Sequence, residues 1–232
     1  MTYTFELSNI MKALKGGDVN RFYDFYKASI EEVYFHCALM TNDAAETKKL
    51  VIKVYRTLYI RLSRLERVEE TVEWYNAVLF DVLNGWCESH CISILVDEEN
   101  GKYKRTPVTE AYPQDAVSTM FTESETANLA ATYINILNPV LAMTSLAYYF
   151  DNFQLDVIAR YLKVDDTVVL ERTKYSLGLI EKKCIDYAWD NKVEIKRVDV
   201  HVILLSYMAL AKVTTCPDKD NLYAEVCDAI SK

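Results

Sequence analysis

A Cys-x-x-His-Cys pattern is the part of this sequence whose residue types are best suited to chemistry. Cys87, His90 and Cys91 stand at i, i+3 and i+4, so a helix would bring their side chains together. Zn²⁺ accepts thiolate and imidazole ligands, but a tetrahedral site needs a fourth ligand. The sequence shows no second ligand pair at a matching spacing. The pattern is weak support for a metal site, and we expect neither a metal nor another cofactor.

The other histidines do not indicate an enzyme. Only three His occur, and His36 and His201 lie in apolar helical runs. In such runs a hydrogen-bonded core histidine is commoner than a catalytic one. The sequence has no glycine-rich phosphate loop, HExxH pair or nucleophile elbow. We therefore expect that the chain is not an enzyme.

Composition favours an all-helical protein without membrane insertion. The 232 residues include five Gly and four Pro, which favours long helices over sheets with many turns. No apolar run approaches the ~18 residues that span a bilayer. The first residues lack the basic and apolar segments of a secretion signal. Together with six scattered cysteines, these features predict reduced thiols and a cytoplasmic location.

The overall charge argues against strong nonspecific DNA binding. The formal net charge is −8 and the pI is about 5.0, whereas nucleic-acid binders are usually basic, at least locally. Which anionic partners the chain could bind therefore depends on where its cations cluster along the sequence.

One predicted helix, at about residues 45–65, carries a face of cations. Its apolar residues, Val51 among them, repeat at helical spacing and face inward. Glu66 is the only acid between Thr47 and Arg67. The cations on the opposite face are Lys49, Lys53, Arg56 and Arg64. This basic stripe predicts docking on an acidic protein surface, and a solvated face is the alternative.

The central part of the chain predicts a helix-turn-helix. A short helix at 154–162 precedes a longer one from about Asp166 to Lys183, which continues to Trp189 if the apolar pattern is followed further. The turn between them has three residues and ends at Asp165, which is placed to cap the second helix. A tight turn between two helices is typical of DNA-binding proteins, and an ordinary helical hairpin is the alternative.

This stretch is similar to region 4 of bacterial RNA polymerase sigma factors of the extracytoplasmic-function type. The family pattern is L-P-x3-R-x-V-x-x-L-R-Y-F-x-G-x-S-x-x-E-I-A-x-x-L-G-x-S-x-x-T-V-x-x-R. The matching residues are Leu137, Tyr149, Phe150, Ile158, Ala159, Leu162, Val169 and Arg172. The resemblance implies that the second helix contacts promoter DNA, and the residues expected to do so are Thr167, Leu170, Arg172 and Lys174.

The N-terminal half resembles region 2 of the same family. That pattern is roughly G-D-x-x-A-F-x-x-L-Y-x-x-Y-x-x-x-V-Y-x-x-A, then T-G-D, then A-E-D-L-V-Q-E-x-F. The matching residues are Gly17, Asp18, Phe22, Tyr26, Val33, Tyr34, Thr41, Asp43, Leu50, Val51 and Tyr55. The two blocks stand in the family's order. The resemblance implies binding to core RNA polymerase and promoter DNA, and control by an anti-sigma or other acidic protein partner.

The expected architecture is all-α with two helical domains. The predicted parts are a region 2-like helical domain at 1–95, a linker at 96–124, a region 4-like helix-turn-helix domain at 125–190 and a helical C-terminal extension at 191–232. The extension has no counterpart in the family pattern. Its apolar content indicates that it packs on a domain or on a partner.

Three departures from the family support a second interpretation. The family's D-L-V-Q-E becomes Lys49-Leu50-Val51-Ile52-Lys53, which reverses charge at the polymerase-docking contact. The I-A-R-N segment becomes Val78-Leu79-Phe80-Asp81, which removes contacts to phosphate and base. The second helix of the helix-turn-helix carries Asp166 and Glu171, which weaken attraction to DNA. The alternative is a sigma-like adaptor or regulator that has lost promoter reading and acts through protein contacts.

Overall fold

The structure is a computed structural model that describes residues 2–90, 125–135 and 137–231, with side chains from Leu7 onward. Over these ranges the chain forms ten α-helices and no strand, which confirms the all-α prediction. None of these helices has the length and hydropathy needed to cross a bilayer. The predicted linker at 96–124 lies outside the described residues.

Four helices form the N-terminal half, namely α1 (Thr2–Lys15), α2 (Arg21–Thr41), α3 (Ala44–Arg61) and α4 (Thr71–Ser89). Gly17 follows α1 with φ +94°, a conformation in which residues with a Cβ are strained. The Asp43 side chain caps α3 by accepting a 2.8 Å hydrogen bond from the Glu46 N–H. Two 3₁₀ turns, Leu62–Arg64 and Val68–Glu70, connect α3 to α4.

Six helices form the rest of the described chain, namely α5 (Glu125–Ile134), α6 (Pro139–Ser145), α7 (Leu155–Leu162), α8 (Asp166–Asn191), α9 (Val200–Val213) and α10 (Lys219–Ser231). Asn138 caps α6, since its side chain accepts a 2.9 Å hydrogen bond from the Val140 N–H. Pro139 occupies the first turn, where a missing N–H costs nothing. A π-helical turn, Leu146–Phe150, continues α6.

One cluster of buried apolar residues runs through both halves. Its fully buried members include Tyr26 and Tyr55 in the N-terminal half and Leu146 and Ile180 in the C-terminal half. Burying a large apolar side chain stabilises a fold by about 1.5–3 kcal/mol. Helix α2 packs against α6, and α4 packs against α7. The helices of the two predicted domains therefore pack against each other.

The C-terminal extension packs on both halves. Helix α9 lies against α5 and the π-helical turn, and α10 lies against α3 and α2. The Tyr223 ring centroid is 4.7 Å from that of Tyr23 and 5.0 Å from that of Tyr26. The Tyr26 hydroxyl donates a 2.8 Å hydrogen bond to the Lys219 carbonyl oxygen. The extension is thus an integral part of the helical fold.

Candidate functional site

The expected basic stripe lies on the solvent-exposed face of α3. Lys49, Lys53 and Arg56 are exposed on the helix, and Arg64 is exposed on the 3₁₀ turn that follows. Ile60 lies on the same face, four residues after Arg56, and is 61% exposed. The buried residues of the helix that orient this face outward are Thr47, Leu50, Val51, Val54, Tyr55 and Leu58. We call the exposed residues from Lys49 to Arg64 the α3 face.

Most cations of the α3 face have no acidic partner among the described residues. Lys49 Nζ lies 2.7 Å from Glu46 Oε1. Within the described ranges, Lys53, Arg56 and Arg64 form no ion pair. An exposed apolar side chain surrounded by unpaired cations is a composition suited to an acidic, partly apolar partner.

Two cations that flank the α3 face are used within the fold. Lys48 Nζ lies 2.5 Å from Glu225 Oε1 on α10. Arg61 Nη1 lies 2.7 Å from Asp81 Oδ2 on α4. These pairs lie at the edges of the face, and between them Lys53 and Arg56 form no ion pair in the described ranges.

Helices α7 and α8 and the three-residue turn between them lie where the helix-turn-helix was predicted, and we keep that name for this pair of helices. Lys163 starts the turn with φ 56°, a left-handed conformation that costs a residue with a Cβ about 1–2 kcal/mol. The predicted cap by the Asp165 side chain is wrong, because that side chain makes no capping hydrogen bond. The N–H groups of Val168 and Val169 instead donate to the Asp165 backbone carbonyl oxygen, at 3.1 and 3.2 Å.

The four residues expected to contact DNA lie on different sides of α8. Thr167 and Lys174 are exposed and seven residues apart, so they share one face. Leu170 is half-buried near the same face. Arg172 follows the buried Val169 by three residues and is itself half-buried. Its Nε atom is buried without a hydrogen-bond partner in the described part of the chain, and burial lowers the pKa of the Arg172 guanidinium.

Cations of α7 and of the turn are bound to α4. Arg160 Nη1 lies 3.0 Å from Glu73 Oε1, and Lys163 Nζ lies 2.8 Å from Asp81 Oδ1. The hydrogen bond from Lys163 and the nearby Arg61 lower the pKa of the Asp81 carboxyl, against the effect of burial. Asp81 therefore joins the helix-turn-helix to both α3 and α4.

Sequence reasoning missed this role of Asp81. Asp81 occupies the last position of the segment compared with the family's I-A-R-N. That comparison indicates only the loss of a nucleic-acid contact at this position. The structure shows that the acid holds Arg61 and Lys163. The sequence feature that could have indicated this role is an acid on α4 without a neighbouring cation, together with an excess of cations on α3 and in the turn.

A buried histidine joins α2 to the residue after the π-helical turn. His36 is 1% exposed, and its Nε2 atom lies 3.0 Å from Asp151 Oδ2. Its Nδ1 atom lies 2.8 Å from the Glu32 carbonyl oxygen. Burial lowers the pKa of His36, but the Asp151 carboxylate outweighs it and the resulting pKa is about 9. His36 is therefore a hydrogen-bonded core residue, as expected, whereas His201 is exposed and the expectation for it was wrong.

The structure describes only part of the Cys-x-x-His-Cys pattern, because Cys91 lies outside the described residues. Cys87 is buried. His90 is exposed, and its Nδ1 atom lies 2.8 Å from the Trp86 carbonyl oxygen. In the described ranges, no three His, Cys, Asp or Glu side chains come together as metal ligands.

Comparison with known proteins adds no family. No protein-family model matches the sequence, and no significant match occurs among curated proteins. The relation to sigma factors therefore stays a prediction, based on the two residue patterns and their order along the chain.

Proposed function

We propose that this chain is a sigma-like protein of transcription initiation that binds core RNA polymerase through the α3 face. The observation that supports the proposal best is the set of Lys53, Arg56 and Arg64, which form no ion pair with any described residue and share a face with the exposed Ile60. Such a surface is complementary to acids around an apolar patch. Because the family's acids at this contact are replaced by Lys49 and Lys53, the polymerase that accepts this protein must be acidic there.

Promoter DNA is the second proposed partner, and it would lie along the outer face of α8. Lys174 is exposed and can neutralise a backbone phosphate. Thr167, on the same face, carries a hydroxyl that can donate to a phosphate or a base edge. The acids Asp166 and Glu171 are also exposed and reduce the attraction, so this interface would be weaker than that of a basic helix-turn-helix protein.

A sigma-like adaptor that no longer reads promoters is the alternative, and the positions of three cations favour it. Arg160 and Lys163 are paired with acids of α4, and Arg172 is half-buried. Between residues 155 and 174, a fully described stretch, Lys174 alone is an exposed cation without an acidic partner. An adaptor would use the α3 face for an acidic partner and leave α8 free of DNA.

Binding to native core RNA polymerase tests the proposal. The double variant Lys49→Glu, Lys53→Asp should weaken binding at least about tenfold, because like charges across an interface cost several kcal/mol. The free energy of unfolding should change by no more than about 1 kcal/mol, since both side chains are exposed. The matched control, Lys182→Glu with Lys192→Asp, changes exposed residues of α8 and the residue after it and should bind as the wild-type chain does.

The outcomes separate the candidates. Failure of the wild-type chain to bind core polymerase would overturn the proposal. Capture of a different acidic protein, lost in the α3 double variant, would support the adaptor. Equal weakening by the control pair would show that net charge, and not the α3 face, determines binding.

A further inference from the structure

A cavity of about 490 Å³ lies where α1, α2, α4 and the segment after the π-helical turn meet. Its volume falls within the range of small-molecule binding sites. The apolar part of its wall includes Leu7, Ala28, Phe35, Val72, Phe150 and Phe153. Neither of the two surfaces discussed above includes this cavity.

Three carboxylates line the cavity, and they differ in the partners that they have. Asp151 is bound to His36. Glu31 forms an ion pair with Lys219 and accepts a 3.0 Å hydrogen bond from the Cys216 N–H. In the described part of the chain, the Glu32 carboxylate has no hydrogen bond or ion pair.

Two buried polar side chains of the wall also lack partners. Asn76 is 5% exposed, and its amide makes no hydrogen bond within the described residues. Tyr75 is 2% exposed, and its buried hydroxyl has no partner there either. The Tyr75 hydroxyl is enclosed by protein atoms, so the Asn76 amide is the one of the two groups that a ligand in the cavity can reach.

The surroundings of Glu32 suit a cation. Protein atoms surround the Glu32 side chain, but it remains accessible to solvent because it lines the open cavity. Burial raises the pKa of the Glu32 carboxyl, an effect that His36 opposes. An ammonium group beside this carboxylate would favour its charged form and replace the missing partner.

We propose that the cavity binds a small organic cation with an aromatic or other apolar body, such as an arylalkyl ammonium compound. The ammonium group donates to the Glu32 carboxylate and to the Asn76 side-chain oxygen. The apolar body packs against Phe150 and Phe153, whose ring faces also attract a cation. A bare metal ion would leave these apolar walls uncovered, and an anion would be repelled by Glu32. The inference does not depend on polymerase binding.

Titration calorimetry on the full chain tests the inference with three indole compounds of similar size. Tryptamine carries the cation, tryptophol is its neutral analogue and indole-3-propionate is an anion. Tryptamine should bind at least about tenfold more tightly than tryptophol, a difference that a charge-assisted hydrogen bond to the Glu32 carboxylate can supply. Indole-3-propionate should bind more weakly than either.

Variants locate the site. Glu32→Gln should reduce the preference for tryptamine over tryptophol to less than about threefold. Phe153→Ala should weaken both compounds and keep the preference. Glu194→Gln, which changes an exposed glutamate outside the cavity, is the matched control and should change neither. If the Gln variant does not fold, Glu32→Asp retains the charge and should retain part of the preference.

Three results would overturn the inference. They are equal affinity of the wild-type chain for tryptamine and tryptophol, a preference that survives Glu32→Gln in the folded variant, and no heat of binding at about 1 mM tryptamine. The last would mean that an arylalkyl ammonium compound is not the ligand class.

Discussion

His36 Nε2 and Asp151 Oδ2 lie 3.0 Å apart although 115 residues separate them in sequence. This contact joins α2 of the N-terminal half to the residue that follows the π-helical turn. Both side chains are largely buried, with 1% and 12% exposure. Removing one partner would leave the other as an unpaired buried charge, which is costly. The hydrogen bond of this pair therefore helps to hold the two halves of the chain together.

The His36–Asp151 pair predicts that stability falls as pH rises from about 6.5 to about 9. The pKa of His36 is raised from 6.5 to about 9 in the folded chain, so the folded state holds the proton more tightly than the unfolded state. The stabilisation is complete below the unfolded pKa and is lost as pH rises through the folded pKa. Its size is on the order of 3 kcal/mol. Urea unfolding across this pH range measures it.

Two variants control the pH experiment. Asp151→Asn should lower the free energy of unfolding near neutral pH and flatten its dependence on pH, because the acid that holds the proton is gone. His201→Gln changes an exposed histidine and should reproduce the wild-type curve. A wild-type curve as flat as that of Asp151→Asn would contradict the prediction.

Asp81→Asn should loosen the contact between α4 and the helix-turn-helix. The substitution removes the partners of Arg61 and Lys163, and we expect a loss of about 1 kcal/mol at neutral pH, since the site is partly exposed. The pKa of Asp81 is lowered from 3.8, so its contribution is present above about pH 4 and lost as pH falls through the folded pKa. Asp228→Asn, an exposed acid of α10, is the control. An equal loss near pH 3 and pH 7 would exclude this explanation.

Lys174 and Arg172 should behave differently in DNA binding. Lys174→Ala should weaken duplex binding and reduce the slope of log K against log salt by about one. Arg172→Ala should leave that slope unchanged, because its side chain is half-buried, and should lower stability instead. Fluorescence anisotropy across a salt series measures both, with Lys182→Ala as the control. No binding of duplex by the wild-type chain at low salt would remove the promoter interpretation.

Tyr223→Ala should detach α10 from α2. The Tyr223 ring contacts Tyr23 and Tyr26, and we expect its loss to cost about 1–3 kcal/mol. Hydrogen exchange in α2 and α10 should increase more than elsewhere. Ala224→Ser changes an exposed neighbour on α10 and should have little effect. Uniform acceleration across all helices would show global destabilisation instead of local detachment.

The sequence predicted helices better than their ends. Helix α3 was predicted at about 45–65, and it runs from Ala44 to Arg61 because a 3₁₀ turn, Leu62–Arg64, tightens its end. Apolar periodicity reports which face of a helix is buried. It does not report which element covers that face. The packing of α10 on α2 depends on contacts between residues as far apart as Tyr23 and Asp220, and no local pattern contains that information.

Side-chain roles were harder to predict than helices. Arg172 was expected on a DNA-facing surface because the family pattern has an Arg there, yet it lies three residues after the buried Val169 and flanks the inward stripe. Helical spacing alone could have indicated this position. The cavity beside Glu32 could not have been predicted, because its wall combines residues of α1, α2, α4 and the segment after the π-helical turn.

The position of α10 on α2 has a consequence for synthesis on the ribosome. The Tyr23 hydroxyl of α2 donates a hydrogen bond to the Asp220 carboxylate of α10, which lies 197 residues later in the chain. At roughly 5–20 residues per second, the nascent chain exposes the aromatic surface of α2 for on the order of 10–40 s before α10 emerges. During that interval the surface around Tyr23 and Tyr26 is available to chaperones or to other nascent chains. Slow translation of the segment between α2 and α10 should therefore increase aggregation of this protein.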